Sequence, residues 1–264
     1  MNSSSENHAV EGSMSCCQML KFSLSKLIME FTGTLFFTMF FTSGAPSIML
    51  LGLWILTIFF WKISGSHFNP AVSFAFMFRK DEKRMPWKLA LSYMVAQALG
   101  GFVGALLINF YTYDIPELTY ENDFIMRAIL QEFFCCFMYV FFFMANTDEK
   151  LLFSNEQAIN CFILAASYVG ARAMFVGNLA YTTSYGAVIN PAVAIGIQMS
   201  GLLSEGFSSW NSIYLYPTVP FAAAFVSVLF YELVYKKTQA FLAHEDGESE
   251  SDKSQNEDHM GEHD

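Results

Sequence analysis

Two tripeptides, Asn69-Pro70-Ala71 and Asn190-Pro191-Ala192, repeat one polar device inside an otherwise apolar chain. Asn is a favoured helix N-cap, and Pro at the first helical position gives up an N–H that has no intrahelical partner anyway. Each tripeptide therefore predicts a helix start. From Pro70 the apolar run reaches Phe78 before Arg79-Lys80 intervenes, and the second run goes from Pro191 to about Met199. About nine residues at 1.5 Å rise cover roughly half of a ~30 Å hydrocarbon core. Both predict half-helices whose positive N-terminal ends stop inside a membrane.

Other polar residues lie in apolar surroundings. Glu30 in Met29-Glu30-Phe31-Thr32-Gly33-Thr34 and Glu132 in Gln131-Glu132-Phe133 occupy matching places in their runs. A carboxylate there is expensive and must find donors, so a satisfied structural role is favoured over titration. Arg172 sits in an otherwise apolar run and is a functional candidate by default. No nucleophile–base pair, metal-ligand spacing or cofactor loop is evident, so enzymatic chemistry, a bound metal and a cofactor are not expected. Cys135, Cys136 and Cys161 lie in apolar runs, where a packed thiol is the ordinary outcome. Cys16-Cys17, just before the first run, could be palmitoylated, though plain thiols are favoured.

The elements that must position these residues follow from hydropathy. Six spans are expected, at about Phe22–Thr42, Ile48–Ile63, Trp87–Phe110, Phe124–Ala145, Gln157–Gly177 and Trp210–Tyr235. A half-helix follows the second span and another the fifth. Gly100 and Gly104 in the third span form a small-xxx-small pair that lets helix backbones approach closely. Each half thus holds three spans, a buried Glu in the first of them, and an Asn-Pro-capped half-helix after the second. Three is odd, so the second half must be inverted, and the two half-helix N-termini face each other. The net-basic stretch Arg79-Lys80-Asp81-Glu82-Lys83-Arg84 and the pair Lys236-Lys237 are expected on the cytoplasmic side. The acidic 111–123 loop then falls outside, and both termini are cytoplasmic.

Composition agrees. Hydrophobic residues make up 54 % of the 264-residue chain and charged residues 14 %, with 29 Phe, far from a soluble domain. The formal charge of −10 is concentrated in the tail, since Glu245–Asp264 carries nine acids and one Lys and the rest is near neutral. Residues 1–20 and 241–264 are expected to be disordered and cytoplasmic, flanking one membrane domain over 21–240 (repeat 1 about 21–110, repeat 2 about 124–237). Ser249, Ser251 and Ser254 in the tail could be phosphorylated, with a merely solvated tail favoured. No cleaved signal peptide is expected before the first span.

These motifs resemble the aquaporin, or major intrinsic protein, family over about residues 22–237. The resemblance rests on Glu30-Phe31-Thr32-Gly33-Thr34, the 64–72 stretch Ser-Gly-Ser-His-Phe-Asn-Pro-Ala-Val, Gln97 with its glycines, Glu132, Asn190-Pro191-Ala192, and Tyr231-Glu232 after Pro220. It implies an all-α membrane fold of six spanning helices plus two re-entrant half-helices in an inverted 3+3 repeat. It also implies a narrow pore per subunit of a homotetramer in the lipid bilayer, passing water or small neutral solutes and engaging no nucleic acid. By resemblance Asn69 and Asn190 cap the half-helices and turn amide donors to the pore, breaking the proton-conducting chain of water. The two helix ends exclude cations and protons. Glu30 and Glu132 hold the half-helix loops, Gln97 is structural, and His67 lines the pore.

The resemblance also shows a departure. The family narrows again outside the Asn pair, at a filter whose arginine comes three residues after the second Asn. Here that residue is Val193. Counting without gaps, the other contributors are Ala187, Asn178 and Met49, the last subject to the register of the short first turn. An arginine-free constriction is wider and drier, which predicts a neutral-solute channel of relaxed selectivity, with glycerol, urea, ammonia or peroxide as candidates beside water. A solute facilitator with little water flux and a non-conducting junctional protein are the alternatives. A secondary transporter would need an ion site, for which only Glu30 and Glu132 offer ligands. Arg172 lies six residues before Asn178, about 240° around a helix, off that residue's pore face. A structural partner, such as a buried carboxylate or backbone carbonyls, is favoured for it over a replacement filter charge. The membrane is expected to be the plasma membrane or an intracellular vacuolar one.

Overall fold

The computed structural model describes residues 16–112, 118, 125–149, 151–175, 187–206 and 214–244. Among these the chain is all helical. In chain order the helices are α1 (Cys16–Thr42), α2 (Pro46–Ser64), α3 (Pro70–Met77), α4 (Trp87–Thr112), α5 (Ile125–Asn146), α6 (Gln157–Ala173), α7 (Pro191–Glu205) and α8 (Leu215–Phe230). α8 continues through a wider π turn, Tyr231–Tyr235, and remains helical to residue 244.

Five stretches are long and apolar enough to cross a membrane: Lys21–Thr42, Pro46–Ser64, Trp87–Thr112, Ile125–Asn146 and Leu215–His244. The remaining expected span is α6. Its described part has 17 residues, and the predicted end at Gly177 lies outside the described residues. Three other boundaries differ from expectation. α1 starts at Cys16, so residues 16–20 are helix rather than loose terminus. α7 runs 15 residues to Glu205 instead of stopping near Met199, because Leu202-Leu203 resumes the apolar run. The last helix extends to residue 244, so residues 241–244, counted with the tail, are helical.

The helices form two quartets with one packing scheme. α1 packs against α2 and α4, as α5 packs against α6 and α8. The half-helix of each quartet touches both α4 and α8, so it is shared between halves. Glycine sets how closely these pieces approach. A Cβ at Gly100 would overlap the Phe31 carbonyl of α1, and one at Gly104 would overlap that of Leu35. Gly101 and Gly196 do the same for α4 against α7: a Cβ at Gly101 would strike the Ala192 carbonyl, and one at Gly196 the Gly101 backbone. Three threonines on α1 satisfy their hydroxyls on the carbonyl four residues back, Thr34 on Glu30 (2.7 Å), Thr38 on Thr34 (2.8 Å) and Thr42 on Thr38 (3.1 Å), so no polar partner is needed across the apolar interface.

Candidate functional site

The two half-helices start where their Asn-Pro pairs place them. Asn69 is extended (φ −151°, ψ 119°) and its side-chain oxygen accepts from the Ala71 N–H at 2.9 Å, with Pro70 opening α3. Asn190 (φ −136°, ψ 103°) accepts from Ala192 N–H at 3.0 Å and Val193 N–H at 3.4 Å. The amide nitrogens then cross over. Asn69 Nδ2 donates to the Ile189 carbonyl at 2.9 Å, and Asn190 Nδ2 to the Phe68 carbonyl at 2.8 Å. The two helix N-termini therefore meet and are tied to each other reciprocally. An amide NH₂ has two donors, so one carbonyl bond leaves each Asn a second N–H with which to meet a solute.

This crossing requires an unusual backbone. Phe68 (φ 46°) and Ile189 (φ 50°), each directly before its Asn, are both left-handed. For a β-branched residue such as Ile189 that is a true outlier, and such strain costs about 1–3 kcal/mol per residue and persists only where surroundings enforce it. Two buried carboxylates do the enforcing. Glu30 accepts from the N–H of His67 (3.0 Å) and of Phe68 (2.7 Å). Glu132 accepts from the N–H of Val188 (2.6 Å) and of Ile189 (2.8 Å). Each strained residue is thus gripped twice, its N–H by a glutamate and its carbonyl by the opposite asparagine.

Around this shared frame the two halves diverge. On the first side Gln97 Nε2 donates to Glu30 (2.7 Å) and to Ser73 Oγ (2.9 Å), and His67 Nδ1 lies 3.1 Å from the same Ser73 oxygen. The His67 ring is buried among Phe76, Tyr93 and Phe143, with centroids 4.5–5.6 Å away. On the second side Tyr168 donates to the Val188 carbonyl at 2.6 Å. Arg172, in the last turn of α6, donates through Nε to the Ala187 carbonyl and through Nη1 to Met49 Sδ at 2.9 Å. Its guanidinium carbon stands 4.1 Å from the Phe41 ring centre, and Glu132 is within its electrostatic reach.

Of the four residues that counting assigns to the outer constriction, Met49, Ala187 and Val193 are buried at 3 %, 0 % and 0 % exposure; Asn178 lies outside the described residues. Met49 and Ala187 are brought together by Arg172. Of the partners considered for Arg172, a backbone carbonyl accepts from its Nε, and that carbonyl belongs to Ala187, one of the residues that counting assigns to the constriction.

Sequence reasoning missed Arg79. Within a run of charges it reads as a solvated loop residue, yet it is 1 % exposed. Its fork holds Asp81 (2.7 and 2.9 Å), Thr147 Oγ1 (2.7 Å), the Met144 carbonyl (3.2 Å) and the Tyr231 hydroxyl (3.2 Å). Tyr231 in turn donates to Asp148 at 2.6 Å, and Glu232 accepts from Lys80 N–H at 3.0 Å. The Tyr231-Glu232 pair was the available signal, since the π turn there presents both residues to the end of α3. Arg79, Asp81, Glu82, Lys83, Asp148, Glu149 and Lys236 line a cavity of about 420 Å³ at this end.

The sequence pattern of the family described as Major intrinsic protein matches residues 17–231. The chain is 26 % identical over 181 residues to the probable aquaporin PIP2-5 of Arabidopsis thaliana, covering 66 % of this chain and 60 % of that protein. It is 25 % identical over 245 residues to aquaporin NIP3-1 of the same plant, covering 83 % and 70 %. The chain spans about three-fifths of the length of several plant relatives it matches. In fold it is similar to the aquaglyceroporin from Plasmodium falciparum solved by X-ray, with a TM-score of 0.63 at 17 % identity, over 81 % of this chain and 97 % of that one.

Proposed function

The chain belongs to the major intrinsic protein family, and on that premise we propose that it is a passive transmembrane channel for water and small neutral solutes, closed to ions and protons. The observation that carries this reading is the reciprocal pair of bonds from Asn69 to Ile189 and from Asn190 to Phe68. It joins two helix N-termini, each worth roughly half a positive charge, at one point. A cation or proton approaching that point meets positive helix ends from both sides, while the oxygens of Glu30 and Glu132 are engaged by the loop N–H groups rather than open to it as ligands. A neutral molecule can offer a lone pair to the Asn amides and pass.

The remaining assignments belong to the same proposal. Asn178, with Met49, Ala187 and Val193, lines an outer constriction, and His67 contributes polarity on the inner side. Four copies assemble as a homotetramer in the plasma membrane or an intracellular vacuolar membrane, with both termini and the Arg79 cluster on the cytoplasmic side. The test is the purified protein in vesicles, with stopped-flow shrinkage for water, glycerol and urea and an internal dye for protons. Expected is flux of water or at least one neutral solute above the protein-free baseline with proton leak unchanged. Absence of all neutral-solute flux from well-folded protein would overturn the reading in favour of a non-conducting structural role. Saturable uptake dependent on an ion gradient would overturn it in favour of a transporter.

A further inference from the structure

We infer that Arg172 is the cation and hydrogen-bond donor of the outer constriction, presented by α6, and so a selectivity residue of the channel proposed above, on which this inference rests. The segment leading into the Asn190 cap offers three successive carbonyls, and each takes a side-chain donor from elsewhere in the chain, two of them from α6. Ile189 takes Asn69 from α3's cap, Val188 takes the Tyr168 hydroxyl, and Ala187 takes Arg172. Asn69 marks the meeting point of the half-helices, so the Ala187 carbonyl, two residues back along the chain, is the next step away from it.

The guanidinium is held there by a built site. Arg172 is 6 % exposed. Phe41 lies 4.1 Å beneath the guanidinium carbon, and stacking of that kind leaves the in-plane N–H groups to work at the edge. Along that edge are the Ala187 carbonyl and, 2.9 Å from Nη1, Met49 Sδ. These two come from α2 and from the loop before α7, so one side chain links two segments that are separate in sequence and that residue counting assigns to the constriction. Val193, in the first turn of α7, is fully buried and apolar, and contributes neither charge nor side-chain donor. The side chains that counting assigns to the constriction, Met49, Asn178, Ala187 and Val193, carry no charge. With Arg172 the constriction carries a fixed positive charge, which opposes cations and orients the dipoles of water and hydroxyl groups.

The test uses the full chain in vesicles and measures water, glycerol, urea and proton fluxes for wild type, Arg172→Met, Arg172→Lys, Val193→Arg and the double variant Arg172→Met with Val193→Arg. Expected for Arg172→Met is a rise of about tenfold in proton leak or in the solute-to-water ratio, the weight of roughly one charge-assisted hydrogen bond. Val193→Arg alone should cut every flux about tenfold, since two guanidiniums then share one constriction. The double variant should return ratios to within about twofold of wild type, because the charge has only moved, while Arg172→Lys should hold protons out but shift the solute ratio. Wild-type ratios in folded Arg172→Met would overturn the inference. If that variant does not fold, Val193→Arg decides: undiminished flux means no cation was already present, and overturns it equally. A wild type without any neutral-solute flux overturns the channel reading itself and this inference with it, whereas a conducting wild type with unresponsive variants overturns only the role of Arg172.

Discussion

Replacing Glu132 by Gln changes one atom's chemistry at the point where the second loop is held. The carboxylate accepts from Val188 N–H at 2.6 Å and Ile189 N–H at 2.8 Å, one oxygen to each. An amide keeps one acceptor and sets its NH₂ against the other backbone N–H. The loss is one charge-assisted bond, about 1.5–3 kcal/mol, plus a buried donor without an acceptor, about 1–3 kcal/mol. Relief from burying a full charge offsets part of that, leaving a net cost of about 2–3 kcal/mol. Ile189 makes the site less able to adapt, because its left-handed backbone (φ 50°) relaxes to the ordinary region once either grip is released. At about 2–4 °C per kcal/mol for a chain of this size, Glu132→Gln should lower the apparent melting temperature in detergent by about 5–10 °C. Glu132→Ala, which removes both acceptors, should lower it further. Melting within about 1 °C of wild type together with unchanged vesicle flux would refute the argument that this carboxylate maintains the loop.

Three other outcomes follow from the packing and the charged end of α3. Arg79→Met removes the guanidinium bonds to Asp81, which keeps Lys236, and should cost about 1.5–3 kcal/mol, read as a fall in melting temperature; Arg79→Lys should recover little, because an ammonium cannot span Asp81, Thr147, Met144 and Tyr231 at once. Gly196→Val should abolish folded, monodisperse protein on a sizing column, since any Cβ there overlaps the Gly101 backbone, whereas Gly170→Ala, with nothing within 4 Å, should behave as wild type. Burial alone would raise the Asp81 carboxyl, but the bonds and charges of Arg79 and Lys236 outweigh it and lower it from 3.8 to about 2. A carboxyl held below its ordinary value stabilises the fold above that value and loses the contribution as pH falls through the lowered one. Melting temperature should therefore drop between about pH 4 and pH 2, and Asp81→Asn should flatten that part of the profile.

The frame was legible in the sequence because its signals are local. An Asn followed by Pro caps a helix whatever the rest of the chain does, and the occurrence of the pair in both halves exposed the repeat. Glu30 and Glu132 stood out because a carboxylate in an apolar run demands donors, although nothing local indicates which N–H groups answer. The left-handed residues were not legible: Phe68 and Ile189 are poor candidates for positive φ, and only the long-range grips on them, a glutamate at each N–H and an asparagine at each carbonyl, explain them. Arg79 was hidden for the opposite reason. It is the first of six charged residues in a row, and its burial depends on Tyr231 and Met144, distant in sequence. The extension of α7 to Glu205 was not legible, because Ser200 and Gly201 interrupt the apolar pattern that resumes at Leu202-Leu203. Arg172 illustrates a further limit. Counting residues around one helix placed it off the face of Asn178, but a side chain as long as arginine's meets partners on other elements, here Met49 of α2 and Ala187 ahead of α7.

The two halves share geometry but not electrostatics, and this difference is where selectivity can be set without disturbing the barrier. At the centre each half needs the same parts: a capping Asn, a left-handed residue before it, and a carboxylate on the loop N–H groups. Changing any of these in one half disturbs the other, because Asn69 grips Ile189 and Asn190 grips Phe68. Outside the centre no such reciprocity applies. The first half surrounds Glu30 with neutral Gln97 and Ser73, while the second brings a guanidinium to the carbonyl one residue before the segment that Glu132 holds. A positive charge there adds to the positive ends of α3 and α7, reinforcing their effect on cations, and it depends on neither Asn bond. The position from which that charge is delivered is therefore free to differ, provided the guanidinium arrives at the same constriction.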